Sequence, residues 1–280
     1  MTRRRVLELI GIGAAGTLVG CKSSPGTGTP DAPGSVDANP DSSGDTCGPA
    51  AAAWATGGTA AMTAKACYPD PFTAAIATCP LVVCATTAGP CTATAPVRQD
   101  VSEGYPGLPV RLALKIVTAT SCTPVAGAVV EIWHTQVTGV YSGITPSPGF
   151  CSGGDADAPN HSYFRGTQTT DAAGRVDFDT CFPGWYPGRA IHIHFKVTVG
   201  ATSYLVSQLF FDTALTTQIF ASHPTYTAEG QPDTANANDS VIGGGAIAQY
   251  QLDTARMSDG AMLASKTIAL RSSAQTNCST

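Results

Sequence analysis

From Val110 onward the chain is written as short apolar and polar alternations, each cut by turn residues before it grows long. Residues 111–117, Arg-Leu-Ala-Leu-Lys-Ile-Val, alternate until a break at Ser121-Cys122-Thr123-Pro124. A period of two places one set of side chains on each face of a strand. Residues 127–133 read as the next strand. Residues 169–174 read as a hairpin-type turn into residues 175–179, where Val176 and Phe178 share a face. Further strands are expected over 192–199, 204–211, 246–254 and 262–270, the last two separated by Ser258-Asp259-Gly260. No segment carries a long helical period, and no repeat of solenoid or propeller length is visible. With 30 glycines, 20 prolines and 12% charged residues, the composition also favours many turns over long amphipathic helices. The expected fold is all-β: an antiparallel β-sandwich.

The N-terminal stretch is of another kind. Three consecutive arginines, Arg3 to Arg5, precede an apolar run that ends at Gly20, which is the charged and then apolar order of an export signal. The run is too short to span a bilayer comfortably. The arginines resemble a twin-arginine signal. Leu18-Val19-Gly20-Cys21 resembles a lipobox, with an ordinary cleaved signal and an incidental cysteine as the plainer alternative. The expected organisation is therefore a signal over 1–20, a flexible tether over 21–46 rich in Ser, Gly, Pro and Asp, an irregular Cys-rich N-terminal extension over 47–95, and the sandwich over 96–280. Within the extension, the alanine run of residues 50–53 reads as one or two helical turns, and the rest has no clear period.

This organisation predicts an exported lipoprotein of the cell envelope, on the periplasmic side or at the surface, touching membrane only through an anchor at Cys21. Losing three arginines and Glu8 with the signal takes the formal charge from -5 to -7. The remaining basic residues are scattered, so nucleic acid is not an expected partner. Ten cysteines suit an oxidising compartment. With Cys21 lipidated nine remain, and four bridges leave one over. A zinc ribbon is disfavoured because the cysteines lack CxxC spacing.

One stretch carries chemistry: Phe182-Pro-Gly-Trp-Tyr-Pro-Gly-Arg-Ala-Ile-His-Ile-His-Phe195. On a strand His192 and His194 share a face, while Ile191, Ile193 and Phe195 take the other. Tyr186 stands six residues earlier in a turn bracketed by Pro and Gly, placed to bring its phenol back over the histidines. A bare HxH pair is equally well a pair of structural or surface histidines.

The same stretch resembles the metal-binding segment of the intradiol ring-cleavage dioxygenases. Tyr186, Arg189, His192 and His194 match that family's pattern. Residues 124–134 followed by Gly139-Val-Tyr-Ser142 match the strand and loop that supply its other ligand tyrosine, here Tyr141. Gln208, in Ser207-Gln-Leu-Phe-Phe211, matches a Gln that lines the site beside the Arg. Thr86-Thr-Ala-Gly-Pro-Cys91 resembles a segment that ends in Tyr in exported members. The resemblance spans about residues 84 to 245, with Ile191 and Cys91 as departures beside the site.

The resemblance implies a transthyretin-like sandwich topology and Fe(III) held by Tyr141, Tyr186, His192 and His194. It further implies a catecholic substrate bound through both oxygens with release of Tyr186, Arg189 and Gln208 as polar contacts to the ring, and O2 as cosubstrate. The product would be of the cis,cis-muconate type. Two phenolates and two imidazoles suit a hard ferric ion. A homo-oligomer is compatible with all of this. His134, His161 and His223 match no ligand position. Trp133 and Trp185 read as core aromatics, and Tyr105 and Tyr163 as caps of the core. Two other readings stay open: a zinc- or copper-binding exported protein built on the HxH edge, and a non-catalytic transthyretin-like module.

Overall fold

The computed structural model describes residues 47–74, 79, 82–243, 245 and 247–274. The expected signal, Cys21 and the tether lie outside the described residues, as does Cys278. Strand β1 (Pro109–Thr118) forms where the alternation predicts it. It is followed by β2 (Val129–Trp133), a short helix α1 (Pro148–Cys151), β3 (Arg165–Thr169), β4 (Arg175–Cys181), β5 (His192–Val199) and β6 (Thr202–Phe210). Helix α2 (Thr213–Ser222) and strands β7 (Asp253–Arg256) and β8 (Met262–Leu270) complete the order.

Two four-stranded sheets result, ordered β4-β1-β8-β7 and β3-β2-β5-β6. Their facing surfaces supply one core: Leu112, Leu114 and Ile116 from β1, Phe178 from β4, Val130 and Ile132 from β2, Ile193, Phe195 and Val197 from β5, and Ile268 from β8. Each such side chain stabilises the fold by about 1.5–3 kcal/mol relative to exposure. This inward set is why the alternate residues of β5, His192 and His194, face outward.

Five expectations need correction. The turn at 169–174 is tight, with Gly174 N donating to Asp171 O at 3.0 Å, but β3 and β4 belong to different sheets. The connection is a crossover between layers, because Phe178 pairs with β1 rather than β3. Nor is the sandwich wholly antiparallel, since β8 runs parallel to β1, from Val110 opposite Met262 to Thr118 opposite Leu270. Parallel neighbours need a long connection, and the chain between β6 and β7 helps to supply it.

That same connection contains the ten-residue helix α2, which strand periodicity does not predict. Asp212 caps it by accepting from Ala214 N and Leu215 N, and its own Ile219 and Phe220 are buried. Finally, the strand expected over 246–254 begins only at Asp253, after a 3-10 turn at Ile247–Gln249.

The alanine run is not helical. Ala51 N and Ala55 N donate to the carbonyls of Met257 and Gly260, at 3.0 and 2.8 Å, so this segment is held along the β7–β8 turn. Tyr68 and Phe72 then pack on Ala113 and Leu263, on the outer face of the first sheet. Residues 84–91 follow the edge of the second sheet instead, with Thr86 N donating to Val206 O at 2.9 Å. Disulfides join Cys47 to Cys67, Cys79 to Cys122 and Cys91 to Cys151, and Cys84 is also disulfide-bonded. Among the described residues, buried Cys181 keeps a free thiol.

Candidate active site

The outer face of β5 would meet water if the sheet stood alone, but three loops cover it. One carries Tyr141, one carries Tyr186, and the third is the 84–91 segment. Gly139 and Gly184 let the two tyrosine loops touch. A Cβ on Gly139, whose φ is +78°, would fall 2.1 Å from Trp185 O, and one on Gly184 would fall 2.2 Å from the carbonyls of Gln136 and Val137. Thr135 Oγ1 donates to Gly184 O at 2.6 Å, and Tyr141 N to Cys151 O at 2.8 Å.

The loops bring all four predicted ligand side chains together. His192 Nε2 lies 3.2 Å from His194 Nε2, 3.3 Å from Tyr141 Oη and 3.2 Å from Tyr186 Oη, and the two phenol oxygens are 3.5 Å apart. His192, His194 and Tyr141 are buried. Burial, with the Arg189 cation second, lowers His192 to about 3. Burial and the neighbouring His192 push His194 well below its ordinary range. Both rings are therefore neutral. His192 Nδ1 donates to Ala190 O at 2.6 Å, which leaves the lone pair of Nε2 facing the phenols. His194 Nδ1 is buried with no partner among the described residues. Burial raises both phenols above their usual value, and Arg189 opposes this at Tyr186.

Such a set fits a metal ion. Along the pairs given, the donor atoms lie 3.2–3.5 Å apart, close enough to converge on one cation. Two phenols, once ionised, are hard anionic donors suited to Fe(III). Among the described residues no group of three or more His, Cys, Asp or Glu is placed to hold a metal. A zinc or copper site of that kind would stop at two imidazoles.

Arg189 and Gln208 stand beside these four. Gln208 is directly opposite His194 on β6, and its Oε1 accepts from Arg189 Nη2 while its Nε2 donates to Thr87 O at 3.0 Å. Arg189 Nη1 reaches Tyr186 Oη at 3.4 Å. Its Nε donates at 2.9 Å to Asp239, a buried carboxylate that also accepts from Ala190 N and Val241 N. Burial alone would raise Asp239, but these donors, Arg189 first, hold it below the usual carboxylate range. Sequence reasoning did not find Asp239, whose polar loop carries no motif.

The register places further residues in the same row. Arg165, Trp133, His194 and Gln208 are successive cross-strand partners on β3, β2, β5 and β6. Trp133, expected as a core aromatic, is buried yet stacks on His194. Arg165 is buried, donating to the carbonyls of Ser142 and Cys91. His134 is tied to Thr180 Oγ1 at 2.7 Å, away from the four donors. Tyr105 and Tyr163 belong to a separate cluster with Phe164, and Trp185 Nε1 donates to Glu229 O. A cleft of about 250 Å³ opens over the site, lined by Tyr141, Tyr186, Arg189 and His194 together with Thr87, Gly89, Pro90, Cys91 and Phe150.

A β-sandwich that sets two histidines of one sheet face against two loop tyrosines beneath a small cleft offers four donors that fit a metal ion. The Dioxygenase family profile matches residues 85–231, over half of the chain. The chain belongs to the intradiol ring-cleavage dioxygenase family. A solved intradiol ring-cleavage dioxygenase from Tetranychus urticae is 26% identical with a TM-score of 0.60, covering 68% of this chain and 94% of that one. Chlorocatechol 1,2-dioxygenase of Rhodococcus opacus is 27% identical over 139 residues, 43% of this chain and 48% of that protein. The chain thus spans about half the length of this curated relative.

Proposed function

We propose that this chain is a non-haem iron(III) intradiol dioxygenase. It would cleave a catecholic ring between its two hydroxyl-bearing carbons with O2 to give a cis,cis-muconate-type product. The observation that carries this reading is the convergence of Tyr141, Tyr186, His192 and His194 within 3.2–3.5 Å of one another, along the atom pairs given above, beside a fixed cation and under a ring-sized cleft.

Bound Fe(III) would supply the Lewis acidity that ionises the substrate hydroxyls and makes the ring electron-rich toward O2. Tyr141, Tyr186, His192 and His194 would hold the ion in this reading. Tyr186 is the least buried of the four and lies within reach of Arg189 Nη1. Its Oη would accept a substrate hydroxyl proton, with Arg189 steadying anionic character on that oxygen. Gln208 holds Arg189 in place and closes the wall behind it. The loops over β5 exclude water from the face where the ring binds.

The protein is exported in this reading and tethered to the cell envelope through Cys21, a location that the disulfides suit. The test is ring cleavage by iron-loaded protein of catechol, hydroxyquinol and protocatechuate, followed by absorbance of the muconate-type product. Product from at least one is expected. No product from any, with one iron bound per chain, contradicts the proposal.

A further inference from the structure

We infer that the cleft selects catechols whose ring is uncharged, either bare or carrying a small apolar substituent, and that it discriminates against ring carboxylates. The inference rests on the dioxygenase reading and adds to it what lines the cleft besides the donor side chains. That lining is largely apolar. Pro90 and Phe150 line it, and Cys91 does so as half of the disulfide to Cys151, so it offers no thiol. Phe150 sits edge-on to Tyr186, with centroids 5.8 Å apart at 86°, and is 57% exposed, which makes it an apolar lip at the mouth. At about 250 Å³ the cleft is below the roughly 300–1,000 Å³ of sites for drug-sized ligands, so it suits a single ring.

The guanidinium and the amide that would welcome a carboxylate are already committed. Arg189 is the one charged side chain among the described lining residues, and the buried Asp239 carboxylate answers its charge at 2.9 Å. Both ends of the Gln208 amide are used, one by Arg189 and the other by Thr87 O. The Thr87 hydroxyl accepts from Gly89 N at 3.0 Å and offers a carboxylate only a neutral O–H donor. A carboxylate on the ring would leave water for a largely apolar cleft whose one lining cation already has its counter-charge, and a poorly paired charge is costly there. A methyl or a halogen on the same ring position would gain apolar contact instead.

The experiment uses the full iron-loaded chain with catechol, 4-methylcatechol and protocatechuate, reading Kd from perturbation of the visible band and kcat/KM from product. The uncharged pair should bind and react at least about a hundredfold better than protocatechuate. Phe150→Arg, a change at an exposed position, should narrow that ratio by about tenfold through a new cation at the lip. Turnover that favours protocatechuate, or an unchanged ratio in F150R, overturns the inference and leaves the dioxygenase reading standing. Tighter binding of the uncharged rings without turnover of any overturns the dioxygenase reading and upholds the selectivity. No binding of any ring overturns both.

Discussion

Trp133 lies flat on His194, their planes 6° apart and ring centroids 4.9 Å apart. The two are cross-strand partners on β2 and β5, so the strand pairing itself fixes the orientation of this imidazole. That matters because His194 Nδ1 has no hydrogen-bond partner among the described residues, unlike His192, whose Nδ1 is held by Ala190 O. Stacking takes over the orienting role that a hydrogen bond commonly plays at a metal-binding histidine. Trp133→Leu should weaken iron binding by about 10–100-fold, measured by competition with a chelator, whereas Trp133→Phe should keep most of it.

Asp239 ties Arg189 to the site from a loop 50 residues away. Removing one partner of a buried pair costs about 3–5 kcal/mol, and Asp239→Asn leaves Arg189 without its counter-charge. The variant should unfold at lower denaturant and lose kcat/KM while retaining iron. The pH dependence has a definite sign. The Asp239 carboxyl sits below its usual range in the fold, so the unfolded chain takes up this proton more readily. Its contribution is complete above the ordinary carboxylate value of about 3.9 and is lost as pH falls through the lower folded value. Acid unfolding curves of the wild type should carry this limb, and those of D239N should lack it.

Two glycines of similar φ give a controlled comparison. Gly139 has φ +78° and would place a Cβ 2.1 Å from Trp185 O, whereas Gly188 has φ +81° and nothing within 4 Å of its Cβ position. Gly188→Ala should cost only the left-handed penalty, about 1–2 kcal/mol. Gly139→Ala must in addition push apart the loops that carry Tyr141 and Tyr186, so it should cost more and should lower iron content. Denaturation midpoints and metal analysis of both variants check this.

Much of this arrangement could be read from the chain before any fold was in hand. Alternation in 192–199 put Ile193 and Phe195 in the core and both histidines on the other face, and that face holds the site. The turn around Tyr186 and the loop of Tyr141 could be placed through the family pattern. What escaped were features decided by distant partners. Parallel pairing of β1 with β8 depends on where the chain goes after β6, and residues 169–174 look like a hairpin because a tight turn has the same local chemistry whether or not its strands stay together. Asp239 and the wall formed by Cys91 with Cys151 become visible only once far-separated segments meet. Trp133 read as core and is buried, but its register opposite His194 gives it a second role.

The central claim is that both tyrosines and both histidines hold one ferric ion, and the visible spectrum of iron-loaded protein tests it most directly. One iron per chain with a tyrosinate-to-iron(III) band in the visible is the predicted result, with the band shifted and weakened in Tyr186→Phe. A colourless protein that binds one iron per chain, or a band unchanged in Tyr186→Phe, would contradict it.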